Sequence, residues 1–380
     1  MAAILTIDLD RLADNWRCFS QNVRAGCRVG AVVKADAYGL GAERVVDRLW
    51  REGCRLFFVA HGCEGQGVAQ ALNGRAADII VFHGCAQGDE ALYQAHGLVP
   101  VLNSLLEVQR WGAFAAASGY GPAVCHVDTG MNRLGLSPDE FRALMQTPDL
   151  LSSLDLQMFM THLASADEPE AAQNQQQCAL FEALMALRPE SLRDVPLSVA
   201  NSAGVMLGQA FHYDVVRLGI GLYGGLALAD PAFPVQSVVT LDAEILQVRD
   251  VPLGGRVSYG GTWQAMRASR VATLAIGYAD GVLRRPQGQL SEVMPAVAIQ
   301  GQVVPIVGRV TMDMVMVDVT DLDDVSVQPG LRAEIIGPHL SLDEAARRAE
   351  TISYEILTSY GRCVQLGRVK RCYVEEGTVT

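Results

Sequence analysis

The chain has 380 residues, carries a formal net charge of −12 with an isoelectric point near 5.1, and is half hydrophobic. This length allows two domains, or a barrel with an appended domain, around a large core. The acidic balance argues against nucleic acid and against an anionic membrane surface as partners, because both repel a negatively charged protein.

The cysteines and the first residues indicate a protein of a reducing compartment. The nine cysteines are scattered without a C-x-x-C pair, which fits free thiols better than a disulfide framework or a zinc site. The N-terminal run has no basic region and meets Asp8 and Asp10 at once, so it does not resemble a signal peptide. No apolar run approaches the length of a membrane span. We therefore expect a soluble, cytoplasmic protein with no metal site.

The first two-thirds of the chain alternates short apolar runs with amphipathic segments. Strands are predicted at 29–33, 56–60, 78–82, 98–102, 123–127, 156–160, 196–199 and 215–218. Helices are predicted between them, as at 42–52 and 105–117, and Ser137, Pro138 and Glu140 mark a helix start with a capping box. Eight strands that alternate with helices favour a parallel (β/α)₈ barrel, with an open doubly wound sheet as the alternative.

The alternation of predicted strands and helices ends after residue 225. Residues 230–234 resemble a linker, and alternating runs rich in Val and Ile follow at 238–248, 270–276 and 303–319. One helix is predicted in this part, capped by Ser341 and running to about Tyr354. This pattern indicates a second, mostly β domain.

The predicted domain organisation follows from this change. We expect residues 8–228 to form the (β/α)₈ barrel. Residues 229–380 are expected to form a mostly β C-terminal domain, which the N-terminal strand, residues 1–7, completes.

Lysine is rare in this chain, and one of the two lysines stands where a core strand ends. Lys34 follows the apolar run Ala-Val-Val, whereas Lys370 stands in an Arg-Val-Lys-Arg stretch typical of a solvated strand. A partly desolvated lysine can lose its proton and form a Schiff base with an aldehyde, which arginine cannot do at a working pH. We therefore interpret Lys34 as a functional group, with chance retention in an arginine-rich chain as the alternative.

Further polar residues follow the predicted strands of the barrel. In a barrel of this kind, chemistry gathers where strands end and loops begin. The residues are Arg133 after strand five, His162 at the end of strand six, Asn201 and Ser202 after strand seven, and Arg217 at the end of strand eight. A single His or Arg at a strand end is often only a satisfied polar residue. Together with Lys34, however, these groups predict an active site at one mouth of the barrel.

Residues 219–224 match the G-x-G-x-x-G pattern of a dinucleotide site. That motif must open a helix, and Pro231 and Pro234 leave no room for one, so we reject this interpretation. Backbone N–H groups from Gly219 onward and the Ser202 hydroxyl would still suit a phosphate, which barrel folds commonly bind after strands seven and eight. A lysine that can react with an aldehyde and a phosphate-binding site on the opposite side of the barrel mouth together predict pyridoxal phosphate as the cofactor.

An ordered set of motifs spans nearly the whole chain. They are Lys-Ala-Asp-Ala-Tyr-Gly at 34–39, Asp-Thr-Gly-Met-Asn-Arg-Leu-Gly at 128–135, Thr-His-Leu-Ala-Ser-Ala-Asp at 161–167, Asn-Ser at 201–202, Arg-Leu-Gly-Ile at 217–220, Val-Ser-Tyr-Gly at 257–260, Ile-Gly-Tyr-Ala-Asp-Gly at 276–281 and Gly-Arg-Val-Thr-Met-Asp at 308–313. The set resembles the alanine racemase family of pyridoxal-phosphate enzymes, which combine a (β/α)₈ barrel with a C-terminal β domain. The resemblance implies a homodimeric isomerase with shared active sites that interconverts L- and D-alanine and supplies D-alanine for cell-wall peptidoglycan.

The resemblance implies two groups that move a proton on opposite faces of the substrate Cα. Lys34 would carry the cofactor as a Schiff base and serve one face, and Tyr259 from the β domain of a partner subunit would serve the other. Two groups are needed because a single base tends to return the proton to the side it came from. A phenol titrates near pH ~10. We therefore expect His162 to hydrogen-bond Tyr259, and Arg217 to support His162.

The resemblance also places Arg217 opposite the pyridine nitrogen of the cofactor. A protonated guanidinium only donates hydrogen bonds, so that nitrogen would stay unprotonated. The ring is then a weaker electron sink, which suppresses transamination and suits a racemase. Fold-related decarboxylases would be expected to place a carboxylate there instead.

The remaining residues are assigned by the resemblance to three parts of the site. The cofactor phosphate is expected at Tyr38, Ser202, Gly219, Ile220 and Tyr354. The substrate carboxylate is expected at Arg133 and at the backbone N–H of Met312. A narrow polar access corridor is expected at Asp167, Tyr278, Arg284, Ile352 and Tyr354, although Tyr278 and Tyr354 could instead be packed aromatics.

Two positions depart from the family pattern. Many members carry a lysine where His126 stands, and once carbamylated it pairs with the arginine equivalent to Arg133. Histidine cannot form that carbamate, so Arg133 must be oriented in another way here. The position before Met312 is often cysteine in the family and is Thr311 here, which matters little if the Met312 backbone makes the contact.

Other functions stay open at this point. A racemase of serine, lysine or arginine could use the same fold. A D-amino-acid lyase would be expected to carry a His/Cys metal site in the β domain, where His339 lies far along the chain from Cys363 and Cys372. A non-catalytic pyridoxal-phosphate carrier would resemble the barrel alone and would not need Tyr259.

Overall fold

The computed structural model of the protein describes residues 3–228, 233–284, 294–322 and 327–380. Within these ranges the chain forms a closed parallel barrel followed by a mostly β C-terminal part. Residues 230–232 of the predicted linker lie outside the described ranges. In the part of the chain that is described, no helix is both long and apolar enough to cross a lipid bilayer.

Eight strands close into the barrel in chain order. After an N-terminal strand, β1 (Ala3–Asp8), they are β2 (Arg28–Val32), β3 (Leu56–Val59), β4 (Asp78–Val81), β5 (Leu98–Leu102), β6 (Pro122–His126), β7 (Asp155–Met160), β8 (Leu197–Ser198) and β9 (Val215–Leu218). The last strand pairs with the first, with Val216 opposite Val29, so the sheet has no free edge. This pairing confirms the predicted barrel and excludes the open doubly wound sheet. Each predicted strand is present, with bounds that differ by at most one residue at either end.

Helices connect the strands and cover the barrel. They are α1 (Leu9–Asn22), α2 (Lys34–Tyr38, a left-handed turn), α3 (Ala42–Arg51), α4 (Gly62–Leu72), α5 (Glu90–His96), α6 (Leu105–Ser118), α7 (Pro138–Gln146), α8 (Ala172–Met185) and α9 (Ser202–Met206). The predicted capping box of α7 is present, since Ser137 and Glu140 each accept the other's backbone N–H, at 3.2 and 2.8 Å. Residues 219–224 open only a short 3₁₀ turn, Ile220–Tyr223, and not the long helix of a dinucleotide site. Strands such as β5 are buried along their whole length because helices lie outside them and side chains fill the barrel inside.

Among the described residues, the C-terminal part is built on a nine-stranded sheet, which includes β1, with a small hairpin. Its strands are β10 (Val239–Val251), β11 (Arg256–Val257), β12 (Trp263–Gln264), β13 (Ser269–Leu274), β14 (Ala296–Ile299), β15 (Gln302–Pro305), β16 (Val315–Asp318), β17 (Arg332–Ile336), β18 (Lys370–Glu375) and β19 (Thr378–Val379). Strand β1 pairs antiparallel with β10 and in parallel with β18, so the first strand of the chain lies in this sheet. The domain boundary between residues 228 and 229 stays a prediction, because residues 229–232 are not described.

The helix predicted from Ser341 to about Tyr354 was wrong in extent. The chain forms two helices there, α10 (Leu342–Arg348) and α11 (Ser353–Gln365). Between them Glu350 has a φ of 53°, in the left-handed region, which stops the first helix. The second helix continues eleven residues beyond Tyr354, and it reaches the barrel.

The alternating apolar run at 303–319 does not form one continuous strand. It consists of β15 and β16, with a loop between them that contains Met312. Gly308 in this loop has a φ of 69°, and a Cβ there would lie 2.7 Å from the Val257 carbonyl oxygen. The apolar pattern continues through the loop, but the glycine turns the backbone out of the sheet.

Helix α11 and strand β18 pack against the segment that follows β2. Gly39 and Gly361 allow a close backbone approach, because a Cβ on Gly361 would lie 2.1 Å from the Gly39 Cα. The Tyr373 hydroxyl donates to the Leu40 carbonyl at 3.0 Å. The C-terminal part of the chain therefore supports the barrel at the point where Lys34 stands.

Candidate active site

Lys34 begins a left-handed turn at the end of β2. The next four residues, Ala35 to Tyr38, have φ values between 53 and 58°. A left-handed conformation costs a residue with a Cβ roughly 1–2 kcal/mol, so the surroundings must hold this turn. The Asp36 carboxylate does so by accepting the Ala42 N–H at 2.8 Å and a hydrogen bond from Arg371 at 2.9 Å. The position of Lys34 at the strand end was predicted, but the strained turn was not.

The carboxylate of Glu64 ties the Lys34 turn to the neighbouring strand. One oxygen accepts the Ala35 N–H at 2.7 Å, and the other accepts the N–H groups of Ala60 and His61 at 2.7 and 3.1 Å. Burial lowers the pKa of Lys34, and the positive charge of Arg133 lowers it further, while Glu64 acts in the opposite direction. An amine with a lowered pKa loses its proton more readily, as a nucleophilic lysine requires.

Lys34 lies in a cavity of about 540 Å³ at the carboxyl ends of the barrel strands. The cavity is lined by nine of the residues predicted for the site: Lys34, Tyr38, Arg133, His162, Ser202, Arg217, Gly219, Ile220 and Tyr354. It is not lined, within a single chain, by the other six: Asp167, Tyr259, Tyr278, Arg284, Met312 and Ile352. All the predicted residues that line it lie in the barrel except Tyr354, which α11 contributes.

Arg217 is the most deeply buried charged group of the cavity, with 2% of the residue exposed. Its Nη1 donates to the Ser198 hydroxyl, and its Nη2 donates to the carbonyls of Thr161 and Val199 at 2.7 and 3.1 Å. Burial lowers the pKa of Arg217 to about 9, so the guanidinium is still protonated at neutral pH. The Nε–H has no acceptor among the residues that the structure describes.

Arg217 also determines which nitrogen of His162 carries the proton. Its Nη2 lies 3.3 Å from His162 Nδ1. Since a guanidinium can only donate, Nδ1 is the acceptor and the imidazole proton is on Nε2. Burial and the positive charge of Arg217 lower the pKa of His162 well below its usual value, so the ring is neutral. The pair leaves the His162 Nε2–H as a hydrogen-bond donor.

Backbone N–H groups after β9 converge on the Ser202 hydroxyl. Its Oγ accepts the N–H of Gly219 at 2.9 Å and that of Gly221 at 3.3 Å. A Cβ on Gly219 would lie 2.5 Å from the Tyr38 hydroxyl, so the Tyr38 ring fits only beside a glycine. That ring packs against Tyr354, with 5.8 Å between the ring centroids. Hydroxyl and backbone N–H groups at one rim of a cavity suit a phosphate or a similar anion.

Arg133 stands on the loop between β6 and α7. The Asp128 carboxylate folds this loop by accepting the N–H groups of Gly130, Met131 and Asn132 at 2.9 to 3.2 Å. Arg133 itself is exposed, and within the described ranges it makes no hydrogen bond or ion pair. Its guanidinium is therefore available to an anion in the cavity.

A buried glutamine holds the Arg133 loop against the end of β7. The Gln177 side chain of α8 accepts the Ala164 N–H at 2.8 Å and donates to the His162 carbonyl at 3.0 Å and to the Thr129 hydroxyl at 3.3 Å. Thr129 also shares a hydrogen bond of 2.8 Å with Thr161. These bonds join the loop that carries Arg133 to the segment that carries His162.

His126 at the end of β6 is held in one tautomer by Asn103. Its Nδ1 lies 2.8 Å from Asn103 Oδ1. The Asn103 amide nitrogen donates to the carbonyls of Phe82 and Val101 at 3.1 and 2.9 Å, so its oxygen must be the acceptor for the histidine. His126 therefore carries its proton on Nδ1. Burial, assisted by the charge of Arg217, lowers the pKa of His126 to about 4, and the ring is neutral at pH 7.

Tyr259 and Met312 lie on the surface of the C-terminal part, with 73% and 53% of each residue exposed. Ser258, before Tyr259, has φ 64° and ψ −176°, a conformation that is almost restricted to glycine. The Ser258 hydroxyl holds it by donating to the Arg309 carbonyl at 2.7 Å. The Met312 N–H has no acceptor among the described residues, while its carbonyl accepts the Ala279 N–H at 3.0 Å.

The residues predicted for the access corridor are solvent-exposed in the single chain. Tyr278 and Ile352 are 41% and 61% exposed, and Asp167 and Arg284 are exposed as well. The Tyr278 N–H donates to the Thr311 carbonyl at 3.0 Å, which joins the Tyr278 turn to the Met312 loop. Tyr278 is thus not a packed core aromatic, whereas Tyr354 both packs on Tyr38 and lines the cavity.

Several residues that hold the site were missed at the sequence level. They are Glu64, Asn103, Gln177, Thr161 and Ser198. Glu64 carries a usable signal, because a polar residue followed three positions later by Glu marks a helix start. Thr161 begins the motif at 161–167, but the motif did not indicate its role. The other three are single polar residues in apolar or helical runs, and no local pattern distinguishes them from solvated positions.

Comparison with known proteins shows the family to which the chain belongs. The family model "Alanine racemase, N-terminal domain" matches residues 7–227, and "Alanine racemase, C-terminal domain" matches residues 238–373. The alanine racemase of Rhizobium meliloti (strain 1021) is 44% identical over 378 residues, which cover 97% of this chain and 96% of that protein. The alanine racemase of Rhodospirillum rubrum is 44% identical over 360 residues, with 94% of each chain covered.

Solved structures give the same result for the fold. The crystal structure of alanine racemase from Bartonella henselae with covalently bound pyridoxal phosphate has a TM-score of 0.90 and 36% identity, and covers 98% of this chain and 100% of that one. The biosynthetic alanine racemase from Pseudomonas aeruginosa has a TM-score of 0.87 and 32% identity, with 98% and 99% covered. The chain therefore belongs to the alanine racemase family.

Proposed function

We propose that the protein is a pyridoxal-phosphate-dependent isomerase that interconverts L-alanine and D-alanine. One observation carries the proposal: a single cavity holds the Lys34 amine, the buried Arg217 guanidinium and an anion seat at Ser202 and Gly219. The names of the relatives support alanine as the substrate, and the Bartonella henselae structure supports the cofactor. We further propose a cytoplasmic homodimer whose D-alanine is used for cell-wall peptidoglycan.

The residues of the cavity fit pyridoxal phosphate. When bound, this cofactor supplies an aldehyde for a lysine amine and a ring that withdraws electrons from the substrate Cα. The Ser202 hydroxyl, whose oxygen already accepts the Gly219 N–H, offers a donor for its phosphate, together with the Ile220 N–H and the hydroxyls of Tyr38 and Tyr354. The glycine at 219 also leaves space that a Cβ would fill.

Lys34 is proposed to hold the cofactor and then to exchange a proton with one face of the substrate Cα at its Nζ. The lowered pKa favours the neutral amine, which is the form that accepts a proton. The Glu64 carboxylate fixes the backbone one residue further on and so limits the movement of this group.

The partner subunit's Tyr259 is proposed to serve the opposite face. Tyr259 does not line the cavity of its own chain, and it is highly exposed on a strained turn. Met266, Tyr278 and Met312 are exposed on the same part of the chain, at 84%, 41% and 53%. Exposed apolar side chains of this kind are typical of a surface that a second copy covers.

His162 and Arg217 are proposed to support these groups. The Nε2–H of neutral His162 can donate to the phenolate form of Tyr259, and donation to the charged form lowers the pKa of a phenol. The Nε–H of Arg217, which has no acceptor among the described residues, can donate to the ring nitrogen of the cofactor, which then stays unprotonated.

The remaining assignments concern the substrate. Arg133 and the Met312 N–H, neither of which has a partner among the described residues, are proposed to bind its carboxylate. The exposed side chains of Asp167, Tyr278, Arg284 and Ile352, with Tyr354, are proposed to form the access corridor once the partner subunit is in place.

The proposal is tested by one assay and one chemical label. Purified protein reconstituted with pyridoxal phosphate should racemise alanine faster than serine, lysine or arginine. Borohydride reduction should attach the cofactor to Lys34, with Lys370 as an internal control in the same digest. Faster turnover of another amino acid would correct the substrate. A label on Lys370, or no bound chromophore, would refute the cofactor assignment.

A further inference from the structure

We propose that His126 is a positioning residue that holds the Arg133 guanidinium by accepting a hydrogen bond at its Nε2. The inference rests on the proposed function, because it takes Arg133 to be the group that binds the substrate carboxylate. In this chain a neutral imidazole would then do what a carbamylated lysine does at this position in many members of the family.

The free acceptor on His126 is set by bonds on the other side of its ring. The carbonyls of Phe82 and Val101 take both hydrogens of the Asn103 amide, at 3.1 and 2.9 Å. The Asn103 oxygen is thereby turned to His126 Nδ1, 2.8 Å away, and can only accept. A neutral imidazole has one proton, so Nε2 keeps its lone pair.

The surroundings of the His126 imidazole favour its neutral form. His126 is 8% exposed, and burial and the positive charges of Arg217 and Arg133 lower its pKa, while the Asp128 carboxylate acts in the opposite direction. On balance these surroundings disfavour imidazolium, so the ring is neutral and Nε2 is an acceptor at pH 7. The Nη groups of Arg217 bond Ser198, Thr161, Val199 and His162, and they make no hydrogen bond to His126.

The loop that carries Arg133 packs on this ring. The Leu136 N–H donates to the His126 carbonyl at 2.9 Å, so the loop returns to the strand from which it left. Gly135 has a φ of 110°, and a Cβ there would lie 3.2 Å from His126 Cδ2, the carbon bonded to Nε2. Arg133 is two residues from Gly135, lines the same cavity, and makes no hydrogen bond or ion pair among the described residues.

Two substitutions distinguish the role of His126 Nε2 from that of Nδ1. In H126N the amide can still reach Asn103 but offers nothing at the Nε2 position, whereas H126Q places an amide oxygen there. For the holoenzyme with L-alanine we expect H126N to raise KM about tenfold with a smaller change in kcat, and H126Q to recover most of that loss. The control is H339N, which removes a histidine that bonds Glu334 in the C-terminal part and does not line the cavity, and it should leave KM unchanged.

The dependence on Arg133 is tested in a double variant. H126N should add no further increase in KM once R133Q is present, because the group that His126 positions is gone. An equal increase in both backgrounds would overturn the proposal.

A measurement on the wild-type protein tests the proposal even if the variants fail to fold, because it requires no catalytic turnover. Nitrogen-15 spectra of the wild-type holoenzyme labelled on histidine report which ring nitrogen is protonated. A bare Nε2 on His126 is expected, and a protonated Nε2 would overturn the inference even if the protein racemises alanine. Failure of the wild-type protein to racemise alanine would instead refute the proposed function.

Discussion

The Glu64 carboxylate accepts the N–H of Ala35, one residue beyond Lys34, at 2.7 Å. Its second oxygen accepts two N–H groups at the end of β3, so one side chain on α4 joins two strand ends beneath the site. Glu64 does not line the cavity, yet it fixes the backbone that carries the proposed reactive amine. The geometry of this site thus depends on groups behind the residues that would contact substrate.

Replacing Glu64 with Gln tests this dependence. The amide offers a single acceptor oxygen where three N–H groups now converge, so we expect a loss of roughly 1.5–3 kcal/mol in the free energy of unfolding. Urea denaturation of the protein measures it. The matched control is Glu43→Gln on the exposed face of α3, where no bond is made among the described residues. Equal losses in the two variants would contradict the supporting role of Glu64.

The lowered pKa of Lys34 predicts how cofactor uptake depends on pH. The neutral amine is the form that reacts with an aldehyde, so uptake should rise with pH through the Lys34 pKa. Burial and the charge of Arg133 lower that pKa, and the rise should occur below the value of ~10.4 for an ordinary lysine. Arg133→Gln removes a positive charge and should move the midpoint of the profile to higher pH. Absorbance during reconstitution measures the rate, and a midpoint that moves to lower pH would contradict the account.

We predict that activity does not respond to added bicarbonate. The imidazole of His126 cannot form the carbamate that a lysine at this position forms in many members of the family. His126→Lys is the positive control, since it restores an amine that can react with carbon dioxide. Racemisation rates with and without bicarbonate, at constant pH and ionic strength, make the comparison. Strong activation of the wild-type protein would show that another group forms the carbamate.

We predict that replacing Gln177 removes the support of two parts of the site at once, and so lowers activity. Gln177→Leu keeps a similar volume but removes bonds to Thr129, Ala164 and the His162 carbonyl. We expect kcat/KM for alanine to fall about tenfold or more, because both the Arg133 loop and the His162 segment lose their support. Gln176→Leu, at an exposed position of the same helix, is the control and should change little. Similar kinetics for the two variants would contradict the role of Gln177.

The strands and helices that have a regular pattern of apolar residues could be predicted from the sequence. Strands such as β5 and β9 are short apolar runs of fixed length between helical segments, and their bounds were found without error. The positions of Lys34, His162 and Arg217 at strand ends follow from the same pattern, because parallel strands of a barrel end at one mouth.

The rest depends on residues that are distant in the sequence. The left-handed turn after Lys34 is held by Asp36 and Arg371, which are 335 positions apart. The tautomer of His126 depends on Asn103, and no local pattern reveals which polar side chain a strand-end histidine will meet. The break between α10 and α11 occurs at Glu350, where helix propensity favours continuation but the backbone enters the left-handed region.

The central claim is that Lys34 of one chain and Tyr259 of the other serve one site. Lys34→Ala and Tyr259→Ala homodimers should both be nearly inactive, because each site lacks one of the two groups. Co-refolding the two variants gives hybrid dimers with one doubly altered site and one intact site. Random pairing makes about half of the dimers hybrid, each with one working site of two, so about a quarter of the wild-type activity should return.

The racemisation rate of that mixture is the most direct measurement, with the hybrid fraction confirmed by native mass spectrometry. Recovery near a quarter of the wild-type rate is the result that a shared site predicts. If both groups came from the same chain, every site in the hybrid would still lack one of them. A confirmed hybrid that remains as inactive as the two parent variants would contradict the account.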